Sequence, residues 1–227
     1  NGFLKDLQYP RQLAFEIKDK TGFLTIHTFA ASVIKRGGQQ FKSFIDSVFR
    51  ELEQQAVPEL VVDLRYNTGG SDGNAAFFSG YFFDQPYRYW DRIMVTEKIA
   101  REIKGIAKIW YRQPIQQEDG WHWQKGKRTR EFDYYEVQQP AKHPYKGKVY
   151  MLINGFCMSS CADVAGILHY NKKAVFVGEE TGGGYQGNNS GLMPGAVLKP
   201  TKMILTVPLQ KYYTAVDSSV WFGRGTI

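Results

Sequence analysis

Asn154-Gly-Phe-Cys-Met-Ser-Ser-Cys-Ala-Asp163 joins an apolar run, residues 148–153, to a helix-like run, residues 162–169. A strand that breaks at Asn-Gly and re-enters a helix through two serines can lift a hydroxyl out of a core. The helix N-terminus also leaves backbone N–H groups unpaired, which favours developing negative charge. The same residues admit a plainer reading, because serine is a preferred helix N-cap. The local sequence leaves nucleophile and cap both open.

The flanking segments read as α/β. Residues 12–17 and 22–29 form a predicted hairpin around a Lys-Asp-Lys-Thr-Gly turn. Phe41, Phe44, Ile45, Val48, Phe49 and Leu52 then repeat at helical spacing. Residues 59–64, Glu-Leu-Val-Val-Asp-Leu, read as a buried parallel strand. A glycine loop and a helix over about 74–83 follow. Beyond the serine turn come a helix to about residue 170, a strand over 174–178, a glycine run at 182–184, and strands near 196–199 and 203–209. The stretch from about 84 to 146 changes character. It is charged and aromatic, with one predicted helix over 97–110, and reads as an insertion packed on the core, either a lid or groove wall or a β-rich excursion. No repeat or linker divides the chain, so one domain over 1–227 is expected.

The bulk composition removes several function classes. At 43% hydrophobic and 15% aromatic residues the chain can bury a core. The net charge of +7 invites a nucleic-acid reading. Its basic residues, however, are scattered, or lie between Arg88 and Lys148 among many acids, which fits a solvated surface. No apolar run reaches the ~18 residues of a membrane span. The two cysteines, Cys157 and Cys161, lack the further ligands of a zinc site, so no metal is expected. They read as small buried hydrophobes or as a local disulfide. Gly182-Gly-Gly-Tyr-Gln-Gly187 matches G-x-G-x-x-G formally, but no helix-forming run follows it. There is no phosphate loop and no G-x-S-x-G elbow, and no cofactor is expected.

Three features occur in one order: a strand ending Asp63-Leu-Arg-Tyr-Asn-Thr-Gly-Gly70, the serine turn with Asp163 three residues after Ser160, and Val177-Gly-Glu-Glu-Thr-Gly-Gly-Gly184. In these the chain resembles the C-terminal processing (tail-specific) serine proteases, a group that includes the tricorn core protease. That family carries "DLRxNxGG", a serine turn of the form S-x-x-E, and "VGxxTxG". Gly22-Phe-Leu-Thr-Ile-His-Thr-Phe29 is similar to its opening core strand, residues 202–209 to its late strand, and Gly223-Arg-Gly-Thr-Ile227 to the start of its closing segment. The resemblance covers nearly the whole chain. It implies a layered ββα fold of the Clp protease/crotonase kind, with the PDZ domain, the N-terminal helical segments and the C-terminal end lying outside these residues. It also implies a peptide or protein substrate, with Ser160 as nucleophile and Ser159 as the neighbouring alternative. The oxyanion hole would come from Gly69, Gly70 and the backbone N–H of Cys161.

One departure qualifies the resemblance. Gly184 stands where the bacterial branch places a lysine base in "TFGKG". The tricorn-like branch takes a histidine from an upstream segment instead, and that is the base expected here. Among internal residues, His27 is the candidate. His169 lies nine residues beyond Ser160 on one helix, roughly 13 Å away and out of range of direct proton transfer. A non-catalytic peptide- or lipid-binding module on the same fold is the alternative, and an acyl-CoA enzyme of the crotonase kind a third. By family habit, the resemblance implies a bacterial periplasmic, outer-membrane-associated or extracellular location.

Overall fold

Residues 11–102, 112–124 and 136–227 are described by the computed structural model. β1 (Leu13–Lys18) and β2 (Thr21–Ile26) form the expected hairpin, with Leu24 opposite Phe15. A short helix α1 (Ala31–Arg36) leads to α2 (Phe41–Gln54), whose Phe41, Ile45, Val48, Phe49 and Leu52 are buried as the spacing predicted. β3 (Glu59–Asp63) then pairs in parallel with β2. α3 (Asp72–Ser79) continues into one 3₁₀ turn, Gly80–Phe82, filling the helix expected over 74–83.

The remaining elements are β4 (Tyr87–Arg88), β5 (Trp90–Val95), α4 (Glu97–Glu102), β6 (Arg112–Gln117), β7 (Gly120–Gln124), β8 (Val137–Gln138) and β9 (Lys148–Ile153). They are followed by α5 (Ser160–Tyr170), β10 (Val175–Gly178), β11 (Gly187–Ser190), β12 (Gly195–Val197), β13 (Ile204–Thr206) and β14 (Gln210–Thr214). The predicted helix over 97–110 is described as far as residue 102, and its remainder lies outside the described residues.

Two five-stranded sheets organise this mixed α/β fold. The first runs β1-β2-β3-β9-β10, parallel from β2 onward, with Leu24, Val62 and Met151 in one register row. The second is antiparallel, β11-β14-β5-β7-β6. Three of its strands come from the 84–146 stretch, and they meet the C-terminal part of the chain through pairs such as Ile93 with Tyr212. The Trp90 and Tyr212 rings meet edge-on at 4.6 Å.

The first sheet is not buried on both faces, as its apolar strand sequence had suggested. Leu24 and Ile26, Leu60 and Val62, and Val149, Met151 and Ile153 are buried, whereas Phe23, Val175 and Val177 are 38%, 48% and 49% exposed. Side chains alternate along a strand, and the buried rows share one core with α2, α3 and α5. The other rows lack such a layer among the described residues. Phe49 sits at the centre of the covered side, its ring 6.3 Å from Phe78, 5.6 Å from Phe82 and stacked at 4.0 Å on Tyr81. Phe49→Ala should therefore lower unfolding stability by about 3–5 kcal/mol in urea titration, while Phe23→Ala should cost less than about 1 kcal/mol.

Candidate active site

Both β3 and β9 point their C-terminal ends at the same edge of the first sheet, where open α/β sheets present ligand sites. The loop after β3 is held by Asn67, which is fully buried. Its Nδ2 donates to the Ile26 carbonyl at 3.0 Å, and its Oδ1 accepts from Gly69 N–H at 2.9 Å. Thr28 Oγ1 and Phe29 N–H both donate to the Gly69 carbonyl, at 3.1 and 2.9 Å. After β9, Asn154 Oδ1 accepts from the N–H of Tyr66 and of Phe156, each at 3.1 Å, so one side chain ties the two loops together.

Three backbone bonds shape the serine turn. Met158 N–H donates to Asn67 O at 3.3 Å, Gly183 N–H to Cys157 O at 2.9 Å, and Cys161 N–H to Met158 O at 3.1 Å. The Asp63–Gly70 loop, the serine turn and the Thr-Gly-Gly-Gly segment thus converge on one place. Two glycines permit the close approach. A Cβ on Gly69 would lie 2.7 Å from the Met158 carbonyl and 2.8 Å from Ser159 Cβ, and one on Gly183 would lie 2.5 Å from Ala162 Cβ.

The two serines differ sharply. Ser159 precedes α5 with φ 52° and ψ −133°, a backbone region that costs a non-glycine residue on the order of 1–3 kcal/mol. It occupies the N-cap position yet makes no side-chain capping bond, which removes the cap as the reason for a serine there. Ser159 is partly exposed. Ser160, the first residue of α5, is 0% exposed, and its Oγ has no hydrogen-bond partner among the described residues. The Ser160 nitrogen lies where a Gly69 Cβ would be 3.1 Å away, at the N-terminus of α5.

The description Peptidase family S41 matches residues 20–226. The chain belongs to peptidase family S41. Its fold is similar to that of a photosystem II D1 C-terminal processing protease, at 15% identity and TM-score 0.52, over 90% of this chain and 44% of that one. Mature CPAF is similar at 14% identity and TM-score 0.58, over 90% and 46%. A putative peptidase from Parabacteroides merdae is similar at 15% identity and TM-score 0.52, over 92% and 52%. The chain spans about half the length of these structures. No curated protein matches it.

Within this S41 chain the other candidate residues separate from the turn. The amides of Gly69 and Cys161 are committed to Asn67 Oδ1 and Met158 O, while Gly70 is exposed on the same loop at φ +142°. His27 follows β2, and its N–H bonds to Gln12 O. Burial lowers its pKa while Asp63 pulls it up. Alternation from inward-facing Ile26 puts His27 on the open face of the sheet with Thr25 and Asp63, whereas α5 packs on the covered face. His169 is at the far end of α5 against Trp221, ring centres 4.8 Å apart. The remaining two histidines, His122 and His143, contact Asp119 at 2.6 Å and Glu53 at 3.4 Å. Neither pairing has a periodic or motif signal.

Asn67, Asn154, Trp90 and Asn188 also shape the site, without a local sequence signal for that role. The last two enclose Asp163, which is buried one turn into α5. Asn188 Nδ2 donates to its two oxygens at 2.9 and 3.1 Å, and Trp90 Nε1 to Oδ2 at 3.4 Å. Burial pushes the Asp163 carboxyl up from 3.8 to about 7, against those two donors. The folded state therefore holds a proton that the unfolded state has released across this interval, so Asp163 withdraws stability as pH rises from about 4 through about 7. Asp163→Asn should flatten that decline in pH-dependent denaturation; an unchanged slope would remove Asp163 as its source.

Proposed function

We propose that the chain is the catalytic core of a serine endopeptidase of the tail-specific, tricorn-like kind, with Ser159 as nucleophile. The observation that carries this is the strained, uncapped Ser159 backbone seated against Gly69 at the start of α5. Such a turn holds a hydroxyl outward at a strand-to-helix junction. In this reading Ser160 serves through its backbone N–H, because its hydroxyl is buried.

In this reading an extended peptide lies along the loop edge, and Ser159 Oγ attacks its carbonyl carbon as the hydroxyl proton passes to a base. The carbonyl oxygen becomes an oxyanion held by the N–H groups of Ser160 and Gly70, at the positive end of α5. Loss of one such donor costs about 3 kcal/mol of barrier. The amine leaves with a proton, and water then hydrolyses the acyl ester. Gly184 supplies no lysine, His27 faces the other side of the sheet and His169 the far end of the helix. The resemblance to the tricorn-like branch supports a histidine from elsewhere in the whole protein as the proton acceptor. The arrangement of sheets and helices fits a Clp protease/crotonase layering, and a bacterial periplasmic or extracellular location follows the family's habit.

The missing lysine also favours a second reading, a non-catalytic peptide-binding module that keeps the scaffold. Reaction of the whole protein with a fluorophosphonate separates the two. Covalent labelling is expected at Ser159. Ser159→Ala should abolish it and reduce peptide cleavage by about 10⁴-fold or more, while Ser160→Ala should still label. Peptide binding with no labelling of the unaltered protein supports the module, and labelling that survives in Ser159→Ala contradicts the assignment.

A further inference from the structure

Cys157 and Cys161 are the only cysteines in the chain, and both are free and fully buried. They flank the turn symmetrically, two residues before and two after Ser159. Their sulfurs converge on one atom. Cys157 Sγ donates to the Leu64 carbonyl at 3.1 Å, and Cys161 Sγ lies 4.0 Å from the same oxygen. Asn154 N–H donates to Cys157 Sγ at 3.5 Å. Their environments are unequal. The neighbouring Cys161 thiol and the Asn154 amide hold the Cys157 thiol below its usual range against the effect of burial. Burial, then the neighbouring Cys157 thiol, pushes the Cys161 thiol up. Cys157 is thus the more readily ionised of two thiols that share one carbonyl, the order expected of an attacking and a resolving cysteine.

We propose that Cys157 and Cys161 are an oxidative modification site, a dithiol that hydrogen peroxide closes into a disulfide across Ser159. Peroxide is small enough to enter during local opening of the turn. The Cys157 thiolate attacks one peroxide oxygen, the O–O bond breaks, and water leaves after taking up a proton, giving a sulfenic acid. Cys161 sulfur then attacks Cys157 sulfur, the S–O bond breaks, and the released oxygen leaves as a second water with the Cys161 proton. Two thiols and one hydrogen peroxide thus yield one disulfide and two waters.

The consequence falls on the turn. A disulfide brings the sulfurs to about 2.05 Å and fixes its own torsion. Both S–H groups also disappear from beside the carbonyl of Leu64, a residue whose own N–H donates to Leu152 O of β9 at 3.0 Å. The five residues that hold Ser159 against Gly69 are thereby drawn into a different ring. This effect on reactivity rests on the reading of Ser159 as nucleophile, while the oxidation itself does not.

The test treats the whole protein with hydrogen peroxide, alkylates residual thiols, and weighs the tryptic peptide Val149–Lys172, which carries both cysteines. The expected product lacks two hydrogens and takes up no alkyl group, a change distinct from methionine oxygenation. The fluorophosphonate labelling rate at Ser159 should fall by about 10²-fold, return with a thiol reductant, and become indifferent to peroxide in Cys157→Ala/Cys161→Ala. Thiols that remain alkylatable overturn the proposal, as does a disulfide that leaves the labelling rate unchanged. A rate that falls equally in the double variant also overturns it. The peptide mass is read without reference to labelling, so a protein that never labels overturns the serine reading while the dithiol is still judged by its mass.

Discussion

A serine at φ 52° and ψ −133° does not hold that conformation by itself. The strain, about 1–3 kcal/mol, has to be outweighed by contacts that exist only when the turn is closed. Three backbone hydrogen bonds supply them, from Met158 to Asn67, from Cys161 to Met158 and from Gly183 to Cys157. At a net ~1 kcal/mol each they are of the right size to offset the strain, provided all three segments are in place. The turn is therefore a property of three loops together, and the buried Asn67 and Asn154 side chains that fix two of those loops matter as much as the serine.

The sheet explains why those loops meet. β3 and β9 are neighbours and parallel, so the loops that follow them leave from the same edge, and β10, on the far side of β9, delivers the glycine segment there as well. α5 then starts at that edge and runs back over the covered face. Its first residue brings the Ser160 amide to the place where the backbone is most strained. Asp163, one turn further in, joins α5 to the second sheet through Trp90 and Asn188. The antiparallel sheet is thus connected to the serine turn through a buried carboxyl and not through the turn itself.

Much of this was legible in the sequence where the signal is local. The amphipathic spacing of α2, the hairpin of β1 and β2 and the order of the three motifs each depend on residues close together in the chain. The first sheet's open face was not legible, because the apolar run at Leu60–Leu64 reads the same whether one side or both are covered, and only the placement of the helices decides. The second sheet joins residues 90–95 to 210–214, a pairing with no local trace. Ser159 and Ser160 are adjacent, and the S-x-x-D spacing from Asp163 points to Ser160. The burial of the Ser160 hydroxyl and the positive φ of Ser159 arise only in the fold, so no local signal carries them.

The central claim is that Ser159 Oγ faces the substrate with the Ser160 and Gly70 amides behind the reacting carbonyl. A crystal structure of the fluorophosphonate-treated whole protein tests it most directly. The account predicts phosphorus bonded to Ser159 Oγ and the phosphoryl oxygen within about 3 Å of both amide nitrogens. Phosphorus bonded to Ser160, or a phosphoryl oxygen turned to solvent away from those amides, would contradict it.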